Sequence, residues 1–150
     1  MKLRIKLNKR PVITIARRGI RERCLVYIAC ANKTIRYRYG QSPVVYIGTT
    51  QNGISRIAES AAHTAKKIFD RHGIRQLGFY VVSCTSRKKL ASWRVLERAL
   101  LLTFRSDYGE VPYLNTQGKN IKSHGEQKFF SGNRLRTIIQ FFTNKKITKS

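Results

Sequence analysis

The sequence predicts an α/β fold in one domain, on three observations. Three short runs dense in β-branched and aromatic residues, 24–30, 44–47 and 77–84, have the length and composition of buried strands. Two longer segments, 54–72 and 90–108, repeat apolar residues at three- and four-residue steps, the period of an amphipathic helix. A hydrophobic content of 41% in 150 residues supports one core, and the chain has no internal repeat.

In order, residues 1–21 read as a basic arm, with Val12-Ile13-Thr14-Ile15 a β-prone run after Pro11. Cys24 to Cys30 forms a continuous apolar run, as in a strand covered on both faces. Asn32-Lys33 reads as a turn, followed by alternating Thr34 to Tyr39 and a break over Gly40 to Pro43. Val44 to Ile47 is the second core strand, closed by Gly48. The first helix aligns Ile54, Ile57, Ala58, Ala61, Ala65, Ile68 and Phe69, and Gly73 stops it. After the third strand, the second helix carries Leu90, Trp93, Leu96, Leu100 and Phe104 on one stripe and ends at Gly109. A Gly-, Lys-, Asn- and Ser-rich loop runs to Gly125, and Asn133 is placed to cap a last short helix over 134–142. The domain therefore spans 22–117, and 118–150 is a basic extension containing that helix.

The chain carries 31 Lys+Arg against 7 Asp+Glu, a formal net charge of +24. Such a fold repels itself unless a polyanion neutralises it, and nucleic acid is the partner this charge predicts, through counterion release at each neutralised phosphate. No apolar run of membrane length is present, which argues against a membrane partner. Cys24, Cys30 and Cys84 are odd in number and fall in no metal-ligand spacing, so they read as small hydrophobes in a reducing compartment. The expected location is the cytoplasm or a nucleoid. No apolar signal region follows Met1, and the acid-free first twenty residues leave an organelle open.

Val45-Tyr46-Ile47-Gly48-Thr49-Thr50, with Arg56 ten residues after Tyr46, then Glu97 on the following helix and Leu114-Asn115 beyond it, resembles the GIY-YIG nuclease domain over roughly 24–117. Leu25-Val26-Tyr27 stands where that family has its first tyrosine triplet, and only the tyrosine matches. The resemblance implies a small three-stranded antiparallel sheet flanked by helices. It also implies an endonuclease that hydrolyses phosphodiesters, DNA favoured over RNA, with Mg²⁺ or Mn²⁺ held by Glu97.

Phosphodiester hydrolysis needs an activated water, neutralised charge on the transferring phosphoryl and a protonated leaving oxygen. Under the resemblance, Arg56 clamps non-bridging oxygens with its planar fork. Tyr27 is the general base or water-positioning group, Tyr46 a second phenol and Asn115 the residue closing the site. Neighbouring cations would have to lower a phenol that ordinarily titrates near about 10. Family members often carry His or Tyr one turn after the arginine; this chain has Ser60 there, and His63, on the same polar stripe as Lys67, is the stand-in. Lys119, Lys122, Lys128, Arg134, Arg136, Lys145 and Lys146 would track the backbone together with the arm, positioning the protein without reading bases. The rival expectation is a non-catalytic nucleic-acid scaffold, a component of a larger nucleoprotein assembly, since basic extensions at both ends also suit a protein embedded in RNA.

Overall fold

The β-branched density of the three runs is realised in a computed structural model that describes residues 4–69, 71, 73–85 and 90–144. Strands β1 (Leu25–Tyr37), β2 (Gly40–Thr50) and β3 (Leu77–Val82) form an antiparallel sheet in the order β2-β1-β3. Helix α1 (Ile54–Ile68) follows β2, α2 (Ser92–Tyr108) follows β3, and α3 (Gly132–Asn144) closes the described chain. No helix among the described residues is long and apolar enough to cross a membrane.

Central β1 is buried on both faces over Leu25–Ala31, as its unbroken apolar run predicts. Because side chains alternate, Val26 and Ile28 enter the main core with Ile47, Leu96, Leu100, Phe104, Leu135 and Ile139. Leu25 and Tyr27 join Ile57 of α1 in a second, smaller cluster, against which Ile20, Tyr46 and Phe79 pack. Two layers thus enclose the sheet, and Tyr27 and Tyr46 belong to the α1 side.

Several boundaries differ from the sequence expectations. Asn32-Lys33 is not a turn: β1 continues through it, and the ladder to β2 shifts register between Cys30 and Ile35. Asn32 donates its N–H to the Gln76 carbonyl and its side-chain oxygen accepts the Arg75 N–H, so its turn chemistry serves a neighbouring segment. The hairpin turn is Arg38-Tyr39, and Gly40 to Pro43 is strand; Pro43 sits on an edge strand inside the register shift, where no ladder N–H is needed. Helix α1 ends at Ile68, and His72, in the expected last turn, lies outside the described residues. On α1, Ala58 is exposed and Thr64 buried, and Leu90 is exposed ahead of α2. The third strand stops at Val82, two residues short. Helix α3 begins at Gly132, so Asn133 lies inside it. The β-prone run Val12–Ile15 joins no strand and is exposed.

One segment beyond α2 positions the site. Gly109 ends α2 in the left-handed conformation (φ 79°), its N–H donating to the Arg105 carbonyl. The chain then returns along the free edge of β2: Tyr113 N–H donates to the Tyr37 hydroxyl, Leu114 N–H to the Val45 carbonyl at 2.9 Å, and Asn115 reaches Ile47. The bonds to Val45 and Ile47 supply partners that the edge strand would otherwise lack.

Candidate active site

Between α1, α2 and the segment after Asn115 lies a cleft of about 770 Å³, and Tyr46, Arg56, His63, Glu97 and Asn115 all line it. Residues separated by up to 69 positions in sequence are thus gathered at one opening. Tyr27 is 4% exposed and stands behind the others. Its ring lies 5.8 Å from that of Tyr46, and its hydroxyl donates to Ser60 Oγ at 3.0 Å. Ser60, one turn past Arg56, lines the cleft and connects the buried phenol to it.

Gly48 makes the two-tyrosine arrangement possible. It pairs with Tyr27 across β1 and β2, and a Cβ at Gly48 would stand 2.5 Å from Tyr46 Cε1 and 2.9 Å from the Tyr27 hydroxyl. Both rings lie over the bare backbone of this residue. Tyr46 is pushed well above the usual phenol range, first by burial and then by Tyr27, with Glu97 adding to the rise and Arg56 opposing it. The protein's own cations, without a metal, do not lower the phenol at Tyr46. Burial outweighs the guanidinium, and Tyr46 is a hydrogen-bond donor at neutral pH.

Arg56 projects into solvent from the first turn of α1 and pairs with Glu59 at 2.8 Å, an exposed i,i+3 contact of little energetic weight. Glu97 has the opposite environment. Burial pushes its carboxyl up to about 7, and Arg98 and Arg94 offset that only in part. Among the described residues no N–H or O–H donates to Glu97 and no ion pair engages it. The two guanidiniums compensate this half-buried carboxylate only in part, and a hard divalent cation would complete the compensation. No group of three or more His, Cys, Asp or Glu side chains stands together among the described residues, so Glu97 would be the protein's single carboxylate ligand, with water and substrate oxygens completing the shell.

Asn115 is 9% exposed and has both ends of its carboxamide engaged by one residue: Oδ1 accepts the Ile47 N–H at 2.9 Å and Nδ2 donates to the Ile47 carbonyl at 2.7 Å. It ties the strand that carries Tyr46 to the segment after α2, and it lines the cleft as well.

The third wall, Thr116 to Ile121, is pinned to α2. Arg98 pairs with buried Glu126 at 2.5 Å and donates to the Lys122 carbonyl at 2.7 Å, and Arg105 donates to the Ile121 carbonyl. Sequence reasoning missed Ser60 as a partner of Tyr27, and it missed Arg94, Arg98 and Lys67 as cleft residues. Arg94 was within reach, since it lies three residues before Glu97 on one helix face. The Arg98–Glu126 pair joins residues 28 apart and has no local signature.

Of the cations expected to track a backbone, Lys119, Lys122, Lys128, Arg134 and Arg136 are exposed. Lys122 adjoins the cleft through Arg98, whereas Arg136 pairs with Asp107 at 3.3 Å. Lys145 and Lys146 lie outside the described residues. The arm from Arg4 to Gly19 is exposed and forms neither helix nor strand. No protein-family model, curated protein or solved structure matches the chain.

Proposed function

We propose that the chain is a metal-dependent endonuclease of GIY-YIG type that hydrolyses nucleic-acid phosphodiesters, with DNA the favoured substrate. The observation that carries this reading is that Glu97, half-buried and without a hydrogen-bonding partner among the described residues, faces the same cleft as Arg56 and Tyr46. A surface glutamate serving only solubility would be exposed or paired.

Within that reading the residues divide the work by their chemistry. Arg56, exposed and permanently charged, releases Glu59 and takes non-bridging phosphate oxygens in its fork. Tyr46, held protonated by burial, donates to an oxygen of the substrate or of the attacking water. Tyr27 orients Ser60, whose hydroxyl meets the cleft and positions water. A divalent cation held by Glu97 would neutralise charge developing on the phosphoryl group. Asn115 keeps Tyr46 in register by holding Ile47.

The second reading is a non-catalytic scaffold in a nucleoprotein assembly, and a specific observation favours it: the net charge of +24 is carried in part on an exposed arm without regular structure. The deciding experiment incubates the purified protein with supercoiled DNA and with structured RNA, in Mg²⁺, Mn²⁺ or chelator. The nuclease nicks one of them only with metal, and Glu97→Ala abolishes nicking while binding persists. If wild type and Glu97→Ala bind alike and neither cuts in any metal, the scaffold reading replaces this one.

A further inference from the structure

The polar stripe of α1 continues past Arg56 and is more extensive than clamping one phosphate requires. Ser60, His63, Thr64 and Lys67 all line the cleft, following Arg56 at four, seven, eight and eleven residues, the spacing of one helix face. At about 1.5 Å of rise per residue, the path from Arg56 to Lys67 is about 16 Å long. A nucleic-acid strand carries one charge per about 3.4 Å of axis, so this path spans several consecutive phosphates.

The bonding pattern distinguishes this wall from the one opposite. On α2, Arg98 has its Nε and one terminal nitrogen engaged by Glu126 and the Lys122 carbonyl, which makes it a brace for the loop. On α1, no hydrogen bond or ion pair engages His63 or Lys67 among the described residues. Neighbouring Lys66 is exposed as well but does not line the cleft. One helical turn thus presents two lysines of equal chemistry, only one of them directed at the opening.

From these observations we infer that the α1 stripe ending in His63 and Lys67 is a phosphate-tracking subsite. It holds the strand that continues from the phosphodiester at Arg56 and sets the direction in which the strand leaves the cleft. The inference rests on the proposed reading for the position of the reacting phosphate, but it concerns binding and stands apart from cleavage. Lys67 is a point-charge contact, indifferent to base identity, and His63 is a second donor between it and Ser60.

The test uses the full chain carrying Glu97→Gln, so that cleavage does not interfere, and a fluorescein-labelled duplex DNA titrated over a range of NaCl concentrations. Lys67→Ala in that background should reduce the slope of log affinity against log salt by about 0.9, the loss of one phosphate contact, and weaken binding alike for unrelated sequences. Lys66→Ala removes the same charge from the same turn and should change the slope much less. Equal slopes for the parent and Lys67→Ala, or equal losses for the two lysine variants, would overturn the subsite and leave only a diffuse cationic coat. The proposed activity is judged separately by metal-dependent nicking with wild-type protein, so either conclusion can fail alone. A far-ultraviolet spectrum and melting temperature matching the parent show that each variant is folded.

Discussion

Tyr27 and Ser60 are joined by a 3.0 Å hydrogen bond across 33 residues, which ties the central strand to the helix that carries Arg56. The phenol is buried and the serine lines the cleft, so a group with no access of its own is linked to the opening by its partner. The hydroxyl of Ser60 keeps its own proton to donate, because in this bond it is the acceptor.

If the two hydroxyls work as a unit, their losses do not add. Tyr27→Phe and Ser60→Ala should each slow single-turnover cleavage, and the double variant should be no slower than the worse single one. In denaturant unfolding the same cycle should return a coupling of about 1 kcal/mol, roughly a factor of five. Additive losses in both measurements would show that the hydroxyls are not partners.

Gly48→Ala tests the stacking of the two phenols over bare backbone. The new methyl would overlap Tyr46 Cε1 and the Tyr27 ring, and displacing either should cost about 1–3 kcal/mol, as overpacking does. Gly118→Ala is the control: Gly118 lines the cleft, and its Cβ would meet only ordinary contacts, the nearest at 3.8 Å. Thermal melts should drop for the first variant and hold for the second. Similar melts for the two would mean the rings have room to move.

The parts of this architecture that were readable in sequence are those fixed by short-range pattern. Leu25 to Ala31, Val44 to Ile47 and the Leu96–Leu100–Phe104 stripe announce themselves through β-branching or helical period, and they carry Tyr27, Tyr46 and Glu97 with them. The hairpin turn was missed because it is held from outside. Tyr39 N–H donates to the Tyr108 carbonyl and Arg38 N–H to the Glu110 carboxylate, so Arg38-Tyr39 needs no Asn-Gly signature. Asn115 lines the cleft where the resemblance expects it, yet its engagement with Ile47 spans 68 residues and follows from the edge strand it covers. Local chemistry names the residues; the tertiary route of the chain assigns their partners.

The Arg98–Glu126 pair should govern the third wall of the cleft. Burial works against the Glu126 carboxylate, but Arg98 and the His124 N–H outweigh it and bring its pKa down to about 2. A depressed folded-state value means that the pair stabilises the fold above the ordinary carboxyl pKa of about 4.3, and that this contribution fades as pH falls toward about 2. Glu126→Gln should therefore cost about 1–3 kcal/mol at neutral pH, as losing a charge-assisted bond does, and should speed amide exchange at His124. Unchanged exchange there would separate the wall from the pair.

Glu97 carries the opposite sign, and its pH dependence follows from that. Its folded-state value of about 7 lies above the ordinary carboxyl value of about 4.3, so the metal-free folded state binds the proton more tightly than the unfolded chain does. Between those limits the native state holds more protons, and stability falls as pH rises from about 4 to about 7, by roughly 3–4 kcal/mol in all, then levels off. Glu97→Gln keeps the shape without the charge. Its melting temperature should exceed that of the metal-free wild type at pH 8, and the two should converge near pH 4. Under the proposed function, metal binding would follow the other branch, because a ligand carboxylate must first lose its proton, so affinity for Mg²⁺ or Mn²⁺ should climb through pH 7 and flatten above it. Melts of both proteins across this range, with and without Mn²⁺, read the two effects together. A Glu97→Gln protein less stable than wild type at pH 8 without metal would mean that the carboxylate already has a partner, and the case for a cation at this position would lose its basis.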